Sequence, residues 1–195
     1  MTVLVTYASK HGATQGIAER IADKLRQMEK EVEVMPTGAV GDLAAYEALV
    51  IGSAVYSGSW LPEAAELVRT HSAVLAVRPV WLFSSGPLGA EVAEGVEQPK
   101  EEGEALGQIK IFGAKRTIHW PVPKEVVEFR GTIGPRGHEM FFGALDPKNL
   151  SFPERVALKA VGGMEGDFRD WDAIEEWAET IARELTPAGA AAGQA

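Results

Sequence analysis

The stretch Val3-Leu4-Val5-Thr6-Tyr7-Ala8-Ser9-Lys10-His11-Gly12-Ala13-Thr14 decides the fold. Its first five residues are apolar, β-branched or aromatic, which predicts a strand buried on both faces. Ser9 to Thr14 then break the run with small and polar residues. Directly after them Ile17, Ala18, Ile21, Ala22, Leu25 and Met28 recur at helical spacing, with Glu19, Arg20, Asp23, Lys24 and Arg26 opposite. The opening therefore reads strand, tight loop, amphipathic helix.

The alternation repeats outward from this unit. Strands are expected at 32–35, 48–52, 79–84 and 140–145. A short helix is expected at 43–46, a longer one at 61–75 with Pro62 in its first turn, and a last one capped by Asp170. On that helix Trp171, Ile174, Ala178, Ile181 and Leu185 face inward, and Glu175, Glu176 and Glu179 form the wet face. This order predicts an α/β fold: a three-layer sandwich with a five-stranded parallel sheet and helices on both faces. Two stretches fall outside the repeat. Residues 90–137 form an insertion after the fourth strand, with an acidic segment at 91–104, a β-hairpin over 109–122 turning near Gly113, and a helix over 124–132. Residues 146–166 suggest one or two amphipathic turns. The expected domain is 1–186, with an Ala/Gly tail at 187–195 that reads as disordered.

Composition narrows the function. The 195 residues are 46% hydrophobic and 24% charged, include no cysteine, and carry a net charge of −9. These values suit a soluble globular domain and exclude a disulfide framework, a thiol nucleophile and a thiolate metal site. An acidic chain without a basic stripe is a poor nucleic-acid binder. No apolar run reaches the ~18 residues of a membrane helix. No signal pattern opens the chain, so a cytoplasmic location is expected and no stable membrane insertion. His71, His119 and His138 are scattered and no H-E-x-x-H occurs, so no metal site is expected.

Ligands of such folds sit beyond the carboxyl ends of the strands. Three loops leave that edge: Ser9–Thr14, Ser53–Trp60 and Ser84–Gly89, all rich in Gly and Ser. In the first, Gly12 permits a turn that gathers N–H groups at a helix start, and Ser9 and Thr14 add hydroxyls. That arrangement suits a phosphate. Ordinary turn and capping needs explain the same residues nearly as well. The chain lacks a P-loop, a dinucleotide fingerprint and a G-x-S-x-G elbow. Residues 3–14 hold no carboxylate, which excludes a receiver-type acidic cluster.

Ser9-x-His11-Gly12-x-Thr14 resembles the T-x-T-G-x-T phosphate loop of flavodoxins, with His11 standing where that pattern has Thr. "VIGSAVYSG" at 50–58, "FFGALD" at 141–146, a "GG" at 162–163 and "DW" at 170–171 are similar to the flavodoxin-like protoporphyrinogen dehydrogenases. "FSSGPLG" and "GDFRDWDAI" are shared with other flavodoxin-domain proteins. The likeness covers residues 1–89 and 138–185.

The resemblance implies FMN as cofactor, with Ser9, Lys10, His11, Gly12, Ala13 and Thr14 at its phosphate. The ring would lie between Ser53, Ala54, Val55, Tyr56, Ser57, Gly58 and Trp60 on one side and Ser84, Ser85, Gly86, Pro87, Leu88 and Gly89 on the other. Tyr56 and Trp60 are the cover candidates for the ring, and Trp60 reads equally as ordinary packing. A glycine peptide at Gly58 flips at low cost to meet a proton at flavin N5. Ser85, Gly86 and Leu88 offer backbone donors to the ring's pyrimidine end.

The implied activity is an FMN-dependent oxidoreductase acting on a porphyrinogen, with a quinone as acceptor. The alternatives are a one-electron carrier to a redox-protein partner and a binding module that has lost flavin. Catalysis by such a protein needs no side-chain acid or base. The hairpin reads as a homodimer contact or as a lid, and Leu150, Phe152 and Leu158 as a transient quinone-side docking surface.

Overall fold

β-branched and aliphatic runs separated by amphipathic helices assemble into a parallel sheet with a helical layer on each face. The computed structural model describes residues 1–86, 104–111, 114–145 and 166–186. The elements are β1 (Thr2–Ala8), α1 (Ala13–Gln27), β2 (Glu31–Pro36), β3 (Ala48–Tyr56), β4 (Ser59–Trp60), α2 (Pro62–Thr70), α3 (Ser72–Leu75), β5 (Val80–Gly86), β6 (Glu104–Ile111), β7 (Ala114–Pro121), α4 (Lys124–Thr132), β8 (Gly137–Phe142), β9 (Ala144–Leu145), β10 (Gly166–Asp167) and α5 (Trp171–Glu184). The parallel strands run in the order β2-β1-β3-β5-β8. From β1 the chain turns to β2 on one side and then crosses to β3 on the other. The switch point therefore lies between β1 and β3, beyond their carboxyl ends.

Each face of the sheet buries its own core. On one, Val3 and Val5 of β1 and Val50, Trp81 and Phe83 meet Ile17, Ile21 and Leu25 of α1 and Ile174, Ala178 and Ile181 of α5. On the other, Leu4, Leu49, Ile51 and Leu82 meet Ala64 and Val68 of α2 and Val126 and Phe129 of α4. Ile17, Ile21 and Leu25 are fully buried, each contributing about 1.5–3 kcal/mol through lost apolar surface. Asp170 caps α5 by accepting from the Ala173 amide at 3.1 Å. Pro36 ends β2, an edge strand where a missing N–H is tolerated.

Several boundaries move from the sequence expectation. The third strand continues past Gly52 to Tyr56, and the fourth past Ser84 to Gly86. Polar Ser53 and Ser84 end neither strand because their hydroxyls find partners inside. The Ser53 hydroxyl donates to the Ala54 carbonyl and accepts from the Leu61 amide, both at 2.9 Å. The expected loop 53–59 shrinks to the two-residue turn Ser57-Gly58, both at positive φ, closing a hairpin from β3 to β4.

The helix expected over 61–75 is two, α2 and α3, because His71 leaves helical dihedrals at φ −107 and ψ 19. Val68 and Leu75 are both buried, so the apolar period runs across the break and hides it. The helix expected over 43–46 is a 3-10 turn at Leu43–Ala45. The fifth strand is Gly137–Phe142, after which β9 pairs antiparallel with β10. Glu175 and Glu179 are half-buried rather than wet: they pair with Arg20 and Lys24 across the α1–α5 contact. The predicted hairpin forms as β6–β7 but begins at Glu104, before the expected 109, and its turn near Gly113 lies outside the described residues; the predicted helix forms as α4. The expectations for 91–103, 146–165 and 187–195 lie outside the described residues.

Candidate functional site

The carboxyl end of β1 leads through Ser9–Gly12 into α1, and the turn is made by Gly12 at φ +85. A side chain is strained at that φ, and a Cβ placed there would project into open space. The Ser9 hydroxyl accepts from the Gly12 amide at 3.0 Å and holds the loop closed. No side chain caps α1, and its first turn carries no acidic residue. Its leading N–H groups therefore face the sheet edge with the positive end of the helix dipole behind them.

Around this loop the ends of β3, β5 and β8 converge. They enclose a cleft of about 460 Å³, counting the solvent at its mouth. Ser9, Lys10, His11, Ala13 and Thr14 form one wall, Ala54, Val55 and Tyr56 the second, Ser85 and Gly86 the third, and Gly143 and Ala144 the floor. The Lys10 ammonium lies 5.7 Å from the Tyr56 ring centroid, joining the first wall to the second. The described lining includes Lys10 and His11 and no carboxylate, in a chain of net charge −9.

Most of the residues expected at a flavin meet here. Ser9, Lys10, His11, Ala13, Thr14, Ala54, Val55, Tyr56, Ser85 and Gly86 line the cleft, and Gly12 shapes it. Ser57 and Gly58 form the exposed turn just beyond Tyr56.

Three residues have different work. Trp60 is 3% exposed and belongs to the core beneath α2 and α4, not to the cleft. The short strand β4 folds it inward, where its ring meets Phe129 edge-on at 5.6 Å and its N–H donates to Ser84. Its amide donates to the buried Glu125 carboxylate at 3.0 Å. The expectation that Trp60 covers the flavin is corrected: an indole N–H sealed from water needs an internal acceptor, and Ser84 is that acceptor. The Ser53 and Ser84 side chains are likewise committed within the core. Pro87, Leu88 and Gly89 lie outside the described residues.

Gly143 and Ala144 were not anticipated as lining. A Cβ at Gly143 would sit 3.2 Å from Ser85 Oγ and 3.3 Å from the Gly86 carbonyl, so glycine lets β8 leave against the end of β5. Its amide donates to the Gly86 carbonyl at 3.3 Å. The available signal was a glycine directly after the aromatic pair Phe141-Phe142, at the end of a strand.

A family model described as a flavodoxin domain matches residues 4–172. The chain belongs to the flavodoxin-domain family. Among solved structures it is similar to a flavodoxin from the domain Archaea, with 16% identity, a TM-score of 0.56, and 94% of this chain and 98% of that one covered. It is also similar to the flavodoxin of Streptococcus pneumoniae TIGR4, with 14% identity, a TM-score of 0.54 and coverage of 95% and 100%. The rubredoxin oxygen:oxidoreductase of Desulfovibrio gigas matches with 14% identity and a TM-score of 0.56; 94% of this chain aligns with only 36% of that longer one. At these identities the likeness to solved structures establishes the flavodoxin fold. No curated protein matches the sequence significantly. The family description names no substrate, and nothing in these matches singles out the protoporphyrinogen dehydrogenases. Among the described residues no flavodoxin-domain helix is long and apolar enough to cross a membrane, and no cluster of His, Asp and Glu could hold a metal ion.

Proposed function

We propose that the chain binds FMN non-covalently in this cleft and works as a redox protein. The observation that carries the reading is the Gly12 turn. An uncapped helix start opens onto a cleft at the switch point, beside Lys10 and His11 and with no carboxylate among its described lining residues. These residues fit a phosphate ester, since backbone N–H groups, hydroxyls and the helix dipole all favour a dianion. Ala54, Val55 and Tyr56 offer an apolar wall and an aromatic side chain that would suit an isoalloxazine ring.

When bound, FMN supplies hydride and single-electron chemistry. The chain's own groups position and tune. Thr14, 1% exposed and lining the cleft, would offer its hydroxyl to the phosphate. The exposed Ser57-Gly58 turn beyond Tyr56 would offer its peptide groups to the ring. Gly86 and Gly143 let backbone approach it closely. No side-chain acid or base is required of the described lining.

The narrower reading is oxidation of a porphyrinogen with a quinone as acceptor. It is supported by the sequence likeness at 50–58 and 141–146. A carrier role toward a redox protein is supported by the match to flavodoxins over nearly their whole length. Tyr56, 40% exposed at the cleft mouth, suits either partner.

The test is the absorption spectrum of the purified chain before and after FMN is added and the excess removed. Bands at roughly 370 and 450 nm that dithionite bleaches are expected. A colourless chain that retains no FMN overturns the reading. Turnover of protoporphyrinogen with a quinone then separates the enzyme from the carrier.

A further inference from the structure

We propose that Lys10 sets the redox balance of the bound flavin: its ammonium, seated at the Tyr56 wall of the cleft, favours the anionic reduced ring over the neutral oxidised ring. The proposal deepens the FMN reading and rests on it. It gives Lys10 a task apart from the rest of its loop, whose amides and hydroxyls would serve the phosphate in either redox state.

Strand register brings the two residues together. β1 and β3 are parallel neighbours with Ala8 opposite Ser53. Lys10, two residues on, and Tyr56, three residues on, therefore leave adjacent strands at the same edge. Local bonds fix both ends. The Ser9 hydroxyl accepts from the Gly12 amide across the loop that carries Lys10. Tyr56 pairs with Ser59 across the β3–β4 hairpin, next to the pair Val55 and Trp60, and the Trp60 indole is bonded inside the core. The Lys10 ammonium then lies 5.7 Å from the Tyr56 ring centroid, inside the range of about 6 Å over which an aromatic face attracts a cation. Both residues line the cleft.

The charge falls where the ring segments supply none. Residues 53–60 and 84–89 contain no Lys or Arg, and Lys10 is the one Lys or Arg among the described lining residues. The chain carries a net charge of −9, a field that disfavours added negative charge. The oxidised ring is neutral. Two electrons and one proton, drawn in the test from dithionite and water, leave the ring an anion. An ammonium at the ring wall attracts that anion and has little hold on the neutral ring. Lys10 is exposed, so solvent and salt reduce the effect to a modest one.

The experiment measures the midpoint potential of FMN bound to the unmodified chain and to Lys10→Met, each at saturating flavin, by titration with dithionite beside a reference dye. Lys10→Met keeps an unbranched stem and loses the charge. It should weaken reduced FMN about fivefold more than oxidised FMN, a midpoint lower by about 20 mV where tenfold is about 30 mV for a two-electron couple. Lys10→Arg should restore the midpoint, and added salt should narrow the gap between the unmodified chain and Lys10→Met. Lys30→Met makes the same change in net charge beyond the other end of α1 and should leave the midpoint unmoved. An equal shift in Lys30→Met overturns the proposal, because the net charge then sets the balance. Equal losses for both redox states in Lys10→Met, with the midpoint unmoved, overturn it and make Lys10 a phosphate ligand. A Lys10→Met chain that no longer holds oxidised FMN does the same. An unmodified chain that binds no flavin instead overturns the FMN reading itself, and this proposal with it.

Discussion

The Trp60 indole N–H donates to Ser84 Oγ at 2.8 Å, and the same hydroxyl lies 2.8 Å from His138 Nε2. The bond ties the β3–β4 hairpin to the centre of the sheet and takes Trp60 away from the cleft. The indole can only donate, so Ser84 accepts there, and the same hydroxyl is shared with the histidine ring.

Trp60→Phe keeps most of the apolar packing on Phe129 and removes the donor. The expected loss is about 1–3 kcal/mol of stability, combining the lost hydrogen bond with a small cavity. Urea denaturation measures it. FMN affinity should stay within about threefold of the unmodified chain. A collapse of flavin affinity at unchanged stability would return Trp60 to the site.

Gly52 has no room for a side chain. A Cβ there would lie 2.0 Å from the Phe83 ring, and the two residues are register partners on β3 and β5. The ring cannot yield, because it is fully buried between Phe141 and Trp177. Gly52→Ala should cost roughly 3 kcal/mol through overpacking. Gly38→Ala, where a Cβ meets nothing within 4 Å, is the control. Equal urea midpoints for the two variants would contradict the packing seen here.

The order of strands and helices was legible because each buried strand is a near-continuous apolar run and each helix keeps one apolar stripe. Val3 to Tyr7 and Ile17 to Leu25 carry that signal without ambiguity. Strand ends were less legible. Ser53, Ser84 and Ser85 look like loop residues, yet all are buried within strands, and internal hydrogen bonds to Ser53 and Ser84 are not written in a local pattern. The site was legible where it is local, at Ser9–Thr14. Gly143 and Ala144 reach it at the exit from β8, a long-range placement that periodicity does not encode.

The Gly12 turn separates stability from binding. Gly12→Ala forces a Cβ into φ +85 and should cost about 1–2 kcal/mol. Gly12→Val, β-branched at the same φ, should abolish FMN binding while thermal unfolding stays cooperative. Thr14→Ala should weaken FMN about tenfold by removing one hydroxyl. Equilibrium dialysis gives both affinities. Unchanged affinity in the Val and Thr14→Ala variants would remove the phosphate from this loop.

His138 sets an acid limit on the fold. Its Nδ1 is buried without a partner, and burial together with the nearby Arg130 charge pushes its pKa down to about 4. In the unfolded chain the ring titrates near its ordinary value of about 6.5. Between these values the unfolded state holds a proton that the folded state does not. Stability from this group is therefore complete above about pH 6.5 and drains away as pH falls toward 4, by roughly 3 kcal/mol in all. The carboxyls of Asp167, Glu128 and Glu179 are held low by their cationic partners, so their losses come below the usual carboxylate range. Burial raises Glu139, which works in the opposite sense at low pH. His138→Phe removes the titrating ring, so its stability should be nearly level between pH 7 and 5 while the unmodified chain weakens by about 2 kcal/mol. Parallel profiles for the two chains across that window would show that the folded state accommodates the imidazolium, and that the Ser84–His138 pair is solvated rather than sealed.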